Sequence, residues 1–289
     1  MISNHDSTQQ HSLEKNLDIV EQTIRKAGSL IKEVRRSGKI GMISKGGDDV
    51  YDPVTIADKK ANAILCSQLH NAFPSYGLLS EEAVEEQYHP EALIRDGIEK
   101  AIEEWGSREY VWVIDPLDGT KEFVKGTNKY CVLVGLLKNR QPIAGLMHVP
   151  ETNDIIRGYN GKEKGIFVNG KPYIRERDTD VIIRSPSEND FVISGENMVT
   201  GHSCFGINTM SVLFGNAKAS CYTGKKVSLW DTCALNAIVT ALGGKMTSMQ
   251  GKPLYYTPEN FKHSNGIIVT GNASHHDALV EKYMKSQGK

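Results

Sequence analysis

A short apolar run that ends in two carboxylates constrains this chain more than any other feature. Residues 111–120 read Val-Trp-Val-Ile-Asp-Pro-Leu-Asp-Gly-Thr, so Asp115 and Asp118 follow a segment with the pattern of a buried strand. Carboxylates crowded at a strand end repel each other unless a cation lies between them. Mg²⁺ takes such oxygen ligands together with substrate phosphates. Gly119 and Thr120 add N–H groups and a hydroxyl that suit a phosphate oxygen. The segment therefore predicts metal-assisted phosphate chemistry.

The composition argues against several classes of protein. The 289 residues include 34 basic and 35 acidic side chains, which leaves no basic excess for a nucleic-acid polymer or an anionic membrane. No apolar run approaches the roughly 20 residues of a membrane span, and the polar residues 1–11 do not resemble a secretory signal. The five scattered cysteines form no Cys-x-x-Cys pair, which favours reduced thiols over disulfides or a thiolate zinc site. We therefore expect a cytoplasmic protein with a flexible tail at residues 1–11.

The hydrophobic pattern predicts an α/β fold in two halves. Apolar residues from Leu13 to Val34 recur at spacings of three and four, which is typical of a helix packed on a sheet; a short coiled-coil seam is the alternative. Further helices are predicted at 54–73, 91–105, 232–242 and 275–285, with another that begins at Thr209. The N-terminal half, residues 12–175, would carry most of the acidic motifs. The C-terminal half, residues 176–289, would carry Asp231 and residues on the substrate side.

Short apolar runs between glycines and asparagines predict the strands. In the first half one run lies at 76–80 and leads into Glu81-Glu82. A cluster of further runs suggests a mostly antiparallel sheet, at 110–114, 130–137, 142–149, 154–159 and 165–168. In the second half they lie at 181–183, 191–194, 217–222, 245–248 and 266–270.

Four acidic segments lie where a strand or loop meets a helix, and each has an ordinary explanation when taken alone. Thr55-Ile-Ala-Asp58 matches a helix capping box, and Glu81-Glu82 could be a solvated helix start. Asp115 and Asp118 could cap a turn, and Asp231 could be an N-cap. Such junctions are also where ligand sites gather in α/β folds. Together the four segments carry enough negative charge for two or three divalent ions, and this combination favours the functional interpretation.

The order of these segments resembles the inositol monophosphatase family of lithium-sensitive, Mg²⁺-dependent phosphomonoesterases. The resemblance runs from about residue 15 to 285 and rests on Asp52-Pro-Val-Thr-Ile-Ala-Asp58, Glu81-Glu82, Asp115-Pro-Leu-Asp-Gly-Thr120 and Trp230-Asp-Thr-Cys-Ala234. It implies a layered α/β/α/β/α sandwich. It also implies metal ligands at Glu81, Asp115, Leu117 (through its carbonyl), Asp118 and Asp231, for two or three Mg²⁺ ions.

The same resemblance implies catalytic and substrate-binding roles. Glu81 and Thr120 would hold the attacking water, and Asp58 would accept the proton of Thr120. The N–H groups of Gly119 and Thr120 would bind phosphate oxygens, while Glu82 would orient the ligands. Three lysines in loops, which are more often simply solvated, are further candidates for a phosphate contact: Lys45, Lys225 and Lys226.

Within the family, two segments are similar to the bacterial-type 3′(2′),5′-bisphosphate nucleotidases: Gly119-Thr-Lys-Glu-Phe123 and Gly251-Lys-Pro-Leu-Tyr-Tyr-Thr257. This similarity implies hydrolysis of the 3′-phosphate of adenosine 3′,5′-bisphosphate, by a monomer or homodimer. One segment departs from the pattern: Asn208-Thr-Met-Ser211 stands where those enzymes often have Ser-Leu-Lys. Asn208, Thr209 and Ser211 could still bond a sugar or phosphate.

Two other functions remain open at this point. One is an inositol phosphate or polyphosphate phosphatase with the same metal site. The other is a catalytically silent metal- or nucleotide-binding regulatory protein, against which the intact set of acidic residues and Thr120 argues.

Overall fold

The structure, a computed structural model, describes residues 5–44, 53–84, 98–160, 165–188, 191–224 and 227–287. Several positions singled out in the sequence lie outside these residues: Lys45, Asp52, Lys225, Lys226 and the first part of the predicted helix 91–105. Among the described helices, none is long and apolar enough to cross a membrane.

Within the described residues, seven strands form a first sheet whose order follows the chain. They are β3 (Gly77–Ser80), β4 (Tyr110–Asp118), β5 (Cys131–Lys138), β6 (Gln141–Val149), β7 (Asp154–Tyr159), β8 (Gly165–Val168) and β9 (Lys171–Pro172). β3 pairs parallel with β4, and each strand from β5 to β9 pairs antiparallel with the one before it. The mostly antiparallel sheet predicted from the sequence is therefore confirmed.

A second sheet of five described strands lies in the C-terminal part. Its strands are β10 (Val181–Arg184), β11 (Asn197–Thr200), β12 (Ala219–Tyr222), β13 (Lys245–Thr247) and β14 (Ile267–Thr270). Their order in the sheet is β11-β10-β12-β14-β13. A small antiparallel pair, β1 (Ile43–Ser44) and β2 (Pro53–Val54), precedes the first sheet. The chain passes between the two large sheets after β9, close to the predicted boundary at residues 175–176, which remains an interpretation.

The longer helices lie in three layers around these sheets. The helices of the described residues are α1 (His5–Ser37), α2 (Ile56–Ala72), α3 (Glu81–Val84), α4 (Ile98–Glu103), α5 (Thr120–Val124), α6 (Phe205–Leu213), α7 (Leu229–Leu242) and α8 (Ala273–Ser286). α1 and α2 cover one face of the first sheet, α6 and α7 lie between the sheets, and α8 packs on the far face of the second. This is the layered α/β/α/β/α arrangement that the resemblance implied.

Alternation along β4 explains why the first sheet is covered on both faces. Trp112 and Ile114 point into the core under α1 and α2, while Val111 and Val113 point towards α7. α7 lies very close to the sheet, since a Cβ placed on Gly145 would lie 2.0 Å from the carbonyl oxygen of Ala234. Glycine at this position is thus what lets α7 approach the sheet so closely.

Two local predictions were wrong. Residues 191–194 are not a strand. Phe191 and Ile193 still pack against the apolar residues between the second sheet and α8, which accounts for the apolar pattern. Gly195 follows with a φ of +75°, which turns the chain. The helix expected to begin at Thr209 is instead α6, which begins at Phe205 and ends at Leu213. Its N-cap is Cys204, a residue type that gives no capping signal in a sequence.

The N-terminal helix is also longer than its apolar pattern. α1 begins at His5, inside the predicted flexible tail of residues 1–11. Once nucleated, a helix extends through polar residues at little cost, and a hydrophobic pattern cannot register that extension.

Candidate functional site

The acidic turn of the sequence lies at the carboxyl end of β4, where the strand becomes irregular. Asp115 pairs with Leu133 and Asp118 pairs with Cys131, so β4 carries one extra residue between these pairs. Such bulges redirect side chains. The Leu117 N–H donates to Asp115 Oδ1 at 3.0 Å, which fixes the turn. Gly119 follows with a φ of +91°, a conformation that favours glycine.

The first helix terminus at the site is that of α2, which begins with a capping box. Asp58 Oδ2 accepts bonds from the N–H of Thr55, at 2.8 Å, and from its hydroxyl. Asp58 Oδ1 lies 2.9 Å from the hydroxyl of Thr120, which is also 3.0 Å from the Leu117 carbonyl oxygen. The hydroxyl can donate its proton to either acceptor. Asp58 is therefore a helix cap and a partner of Thr120 at once.

The second helix terminus is that of α7, which begins with a capping box formed by Ser228 and Asp231. Asp231 Oδ2 accepts the Ser228 N–H. One carboxylate oxygen each from Asp115, Asp118 and Asp231 lie within 4.8 Å of one another. The structure thus brings together three acidic residues that the sequence places in two distant motifs.

Burial and mutual repulsion act on these carboxylates. Burial raises the pKa of Asp115 well above its usual value, and the charges of Glu81, Asp118 and Asp231 raise it further. Burial also raises the pKa of Asp231, with added effects from Asp118 and Glu81. Glu81 is therefore close enough to act on both, although it begins α3 in another part of the sequence. Its neighbour Glu82 is fully buried.

This donor set fits a divalent cation. Buried carboxylates whose pKa values are raised by one another are stabilised when a cation takes up their negative charge. Oxygen donors from carboxylates and carbonyls are the ligands that Mg²⁺ prefers. The residues that could hold such an ion are Glu81, Asp115, Asp118, Asp231 and the carbonyl of Leu117.

Asp118 has an additional set of partners that the sequence did not reveal. Its Oδ1 accepts the N–H of Phe205 at 3.1 Å, and its Oδ2 accepts the N–H of Gly206. Burial raises the pKa of Asp118, while the bond from Gly206 and those from Cys204 and Phe205 oppose that rise. The N-terminus of α6 therefore holds Asp118 in place. The sequence did not indicate this contact, because cysteine is an unusual N-cap and the start of α6 at Phe205 was not predicted.

The segment that departs from the nucleotidase pattern has protein partners of its own. The Asn208 side chain accepts the His202 N–H at 2.9 Å and donates to the His202 carbonyl and the Tyr222 hydroxyl. The Ser211 hydroxyl donates to the Ile207 carbonyl at 3.2 Å. Both side chains thus stabilise α6 and its surroundings, while Thr209 is fully buried.

Comparisons with known proteins agree with this geometry. The sequence profile of the inositol monophosphatase family matches residues 12–287. The 3′(2′),5′-bisphosphate nucleotidase CysQ of Escherichia coli O157:H7 is 29% identical, over 88% of this chain and 99% of its own length. The rat 3′(2′),5′-bisphosphate nucleotidase 1 is 28% identical, over 91% of this chain and 92% of its own.

The comparison with solved structures shows a shared fold. The crystal structure of staphylococcal inositol monophosphatase I complexed with products has a TM-score of 0.72 with 19% identity, and the match covers 93% of this chain and 95% of that one. At this identity the likeness shows the shared fold, whereas the family profile covers nearly the whole sequence. The chain therefore belongs to the inositol monophosphatase family and is a phosphatase.

Proposed function

We propose that this phosphatase is a Mg²⁺-dependent 3′(2′),5′-bisphosphate nucleotidase, which hydrolyses the 3′-phosphate of adenosine 3′,5′-bisphosphate to AMP and phosphate. The observation that carries the proposal is the convergence of Asp115, Asp118 and Asp231 beside the hydrogen-bonded pair of Thr120 and Asp58. The names of the E. coli and rat relatives support the choice of substrate.

The carboxylates would hold two or three Mg²⁺ ions, with the Leu117 carbonyl as a further ligand. Bound Mg²⁺ would neutralise the phosphate and make a water molecule more acidic, which is the chemistry that phosphate monoester hydrolysis needs. Glu81, at the start of α3, would help to hold the attacking water. The N–H groups of Gly119 and Thr120 would bind phosphate oxygens.

The pair of Thr120 and Asp58 would move the proton. Thr120 Oγ1 would take a proton from the attacking water while it passes its own to Asp58 Oδ1, 2.9 Å away. The bonds from Thr55 hold the other oxygen of Asp58, so Oδ1 stays directed at Thr120. A capping residue thereby becomes a proton acceptor of fixed orientation.

One observation favours the alternative of an inositol phosphate phosphatase. The segment 208–211 carries no lysine, and Asn208 and Ser211 are engaged by the protein itself, so this segment offers no positive charge to a second phosphate. The catalytically silent alternative is set aside because the chain belongs to a phosphatase family. A cytoplasmic location and a monomeric or dimeric state stay predictions.

Phosphate release from a panel of substrates tests the proposal. The panel contains adenosine 3′,5′-bisphosphate, 3′-AMP, myo-inositol 1-phosphate and inositol 1,4-bisphosphate, each with Mg²⁺ and with EDTA. We expect kcat/KM for the bisphosphate nucleotide to exceed those of the inositol phosphates by about 100-fold, EDTA to abolish turnover, and millimolar Li⁺ to inhibit. A preference for myo-inositol 1-phosphate would overturn the substrate, and full activity in EDTA would overturn the metal dependence.

A further inference from the structure

Two cysteines that lie far apart in the sequence meet at one oxygen of Asp118. Cys131 is the first residue of β5 and Cys204 is the N-cap of α6, 73 positions later. Their sulfur atoms are 3.9 Å apart, and they lie 3.6 Å and 3.2 Å, respectively, from Asp118 Oδ2. Both thiols are fully buried. Two sulfurs and one carboxylate oxygen thus form a compact triangle behind the acidic cluster.

The dimensions of this triangle match those of a tetrahedral metal site. With Zn–S bonds of about 2.3 Å and Zn–O bonds of about 2.0 Å, two sulfur ligands lie about 3.8 Å apart and a sulfur and an oxygen about 3.5 Å apart. The observed separations of 3.9, 3.6 and 3.2 Å are within a few tenths of an ångström of these values. An ion could bind three protein ligands here with only small side-chain movements.

Backbone donors face this triangle, although burial raises the pKa of the Cys131 thiol well above its usual value and that of Cys204 to about 12. The thiolates therefore form here only together with a cation that takes up their charge. The N–H groups of Phe205 and Gly206 point at Asp118, and the N–H of Ile207 points at Cys204 Sγ from 3.4 Å. A helix N-terminus stabilises thiolates and carboxylates beside it. A Cβ on Gly206 would lie 2.4 Å from Cys131 Sγ and 2.9 Å from Asp118 Oδ2, so a larger residue there would disturb the triangle.

We propose that Asp118, Cys131 and Cys204 form a second metal site, selective for thiophilic divalent cations such as Zn²⁺ and Cd²⁺. The ion replaces the two thiol protons, which pass to solvent, and binds both sulfurs and Asp118 Oδ2. Mg²⁺ does not compete for it, because hard cations prefer oxygen ligands. The scattered cysteines gave no sign of such a site, since their spacing has no metal-binding pattern.

Because Asp118 belongs to both sites, binding of a thiophilic ion affects catalysis; this consequence rests on the proposed function. A thiophilic ion on Asp118 Oδ2 draws this carboxylate away from the Mg²⁺ centre formed with Asp115 and Asp231. Occupation of the site therefore inhibits the phosphatase even when Mg²⁺ is saturating.

Cd²⁺ titration of the full chain tests the site itself. The protein is freed of Mg²⁺ and kept in a phosphine reductant, which prevents disulfide formation, and the ultraviolet absorption of Cd²⁺–thiolate bonds is followed. We expect a band that saturates at about one Cd²⁺ per chain in the wild type. The Cys131→Ser and Cys204→Ser variants should each lose most of the band, and serine at 204 remains a good helix cap.

Cys66→Ser is the matched control for this titration. Cys66 is another buried thiol, on α2, and it donates to Asn62 Oδ1 as a serine hydroxyl would. This variant should keep the full band. Absence of the band in the wild type, or its persistence in the double variant Cys131→Ser/Cys204→Ser, would overturn the site.

Phosphate release measures the consequence separately. At saturating Mg²⁺, micromolar Cd²⁺ or Zn²⁺ should lower the rate of the wild type and of Cys66→Ser by about tenfold or more. The double variant should lose less than about half of its own ion-free rate. A Cd²⁺ band without inhibition would overturn the shared role of Asp118. Absence of turnover on every substrate would overturn the proposed function, and the spectroscopic result would still decide the site.

Discussion

Helices α2 and α7 begin in the same way, yet their aspartates meet different surroundings. Each helix has a capping box with a hydroxyl residue at the N-cap and an aspartate at the third helical position, Thr55 with Asp58 and Ser228 with Asp231. Asp58 is bonded by donors, the N–H and hydroxyl of Thr55 and the hydroxyl of Thr120. Asp231 accepts the N–H of Ser228 and its own N–H, and it faces the acidic cluster.

The difference shows that a local motif does not fix the chemistry of its residues. A carboxylate that faces hydroxyls is suited to accept a proton, whereas one that faces other buried carboxylates is suited to hold a cation. Burial and the charges of Asp118 and Glu81 accordingly raise the pKa of Asp231. Under the proposed function, the same capping box would provide a proton acceptor at the start of α2 and a metal ligand at the start of α7.

The largest expected effect is on kcat and compares the metal ligand proposed at α7 with the proton acceptor proposed at α2. Asp231→Asn should lower kcat by about 10³-fold, because a ligand charge is lost while the amide oxygen can still cap α7. Thr120→Val removes the hydroxyl that would pass a proton to Asp58, and it should lower kcat by about 10² to 10³-fold. Initial rates of phosphate release measure both.

Mg²⁺ binding distinguishes these two losses. Thermal unfolding with and without Mg²⁺ should show a reduced Mg²⁺-induced rise of Tm in Asp231→Asn and a preserved rise in Thr120→Val. Thr120→Ser, which retains the hydroxyl, is the matched control and should keep much of the activity. An equal loss of the Mg²⁺-induced rise of Tm in both variants would contradict the assignment of Asp231, and not Thr120, to Mg²⁺ binding.

A smaller effect concerns stability without metal. In EDTA at pH 7, Asp231→Asn should raise the free energy of unfolding by about 1–2 kcal/mol, because the half-buried Asp231 is one of several mutually repelling carboxylates. Asp58→Asn should lower it, because Asp58 is bonded by donors. Urea unfolding monitored by circular dichroism gives both values. Destabilisation by Asp231→Asn would contradict the repulsion.

The pH dependence follows from the same carboxylates. The folded-state pKa values of Asp115 and Asp231 are raised above the unfolded values, so the native state binds more protons as pH falls. The contribution of this cluster to the metal-free free energy of unfolding therefore increases as pH falls from 7 towards the usual pKa of a carboxyl. Asp231→Asn should show a flatter profile than the wild type in the same urea series.

The smallest effect concerns the N-caps themselves. Removal of either hydroxyl, by Thr55→Ala or Ser228→Ala, should cost about 1 kcal/mol of stability. Only Thr55→Ala should also lower kcat severalfold, because the Thr55 hydroxyl helps to hold Asp58 in line with Thr120. In Ser228→Ala the backbone N–H that binds Asp231 remains. Equal kinetic effects would contradict this distinction.

Much of the fold could be predicted because it follows from short-range patterns. The apolar stripe of α1, the strands β4 to β8 and the end of α7 at Gly243, with a φ of +95°, agree with the predictions made from periodicity and turn residues. The acidic motifs could be found because each is continuous in the chain. Their roles as ligands and catalysts remain predictions, although the structure brings Asp115, Asp118 and Asp231 together.

Burial of polar side chains escaped prediction where the partners are distant in sequence. His276 follows the exposed His275 in α8, yet its own side chain is fully buried and bonds the hydroxyls of Thr247 and Thr270 at 2.8 Å and 3.0 Å. Burial lowers the pKa of His276 to about 4. No pattern near residue 276 could show this, because the two threonines come from β13 and β14.

By itself, the sequence determined the family, the acidic motifs and most of the helices and strands, because hydrogen bonds and hydrophobic periodicity act between residues near in the chain. Only the tertiary structure decided which of these residues share a site. The approach of α6 to Asp118, and with it the meeting of Cys131 and Cys204, depends on how two sheets pack around α6 and α7. Packing of that kind joins residues separated by 73 to 88 positions, and no local pattern encodes it.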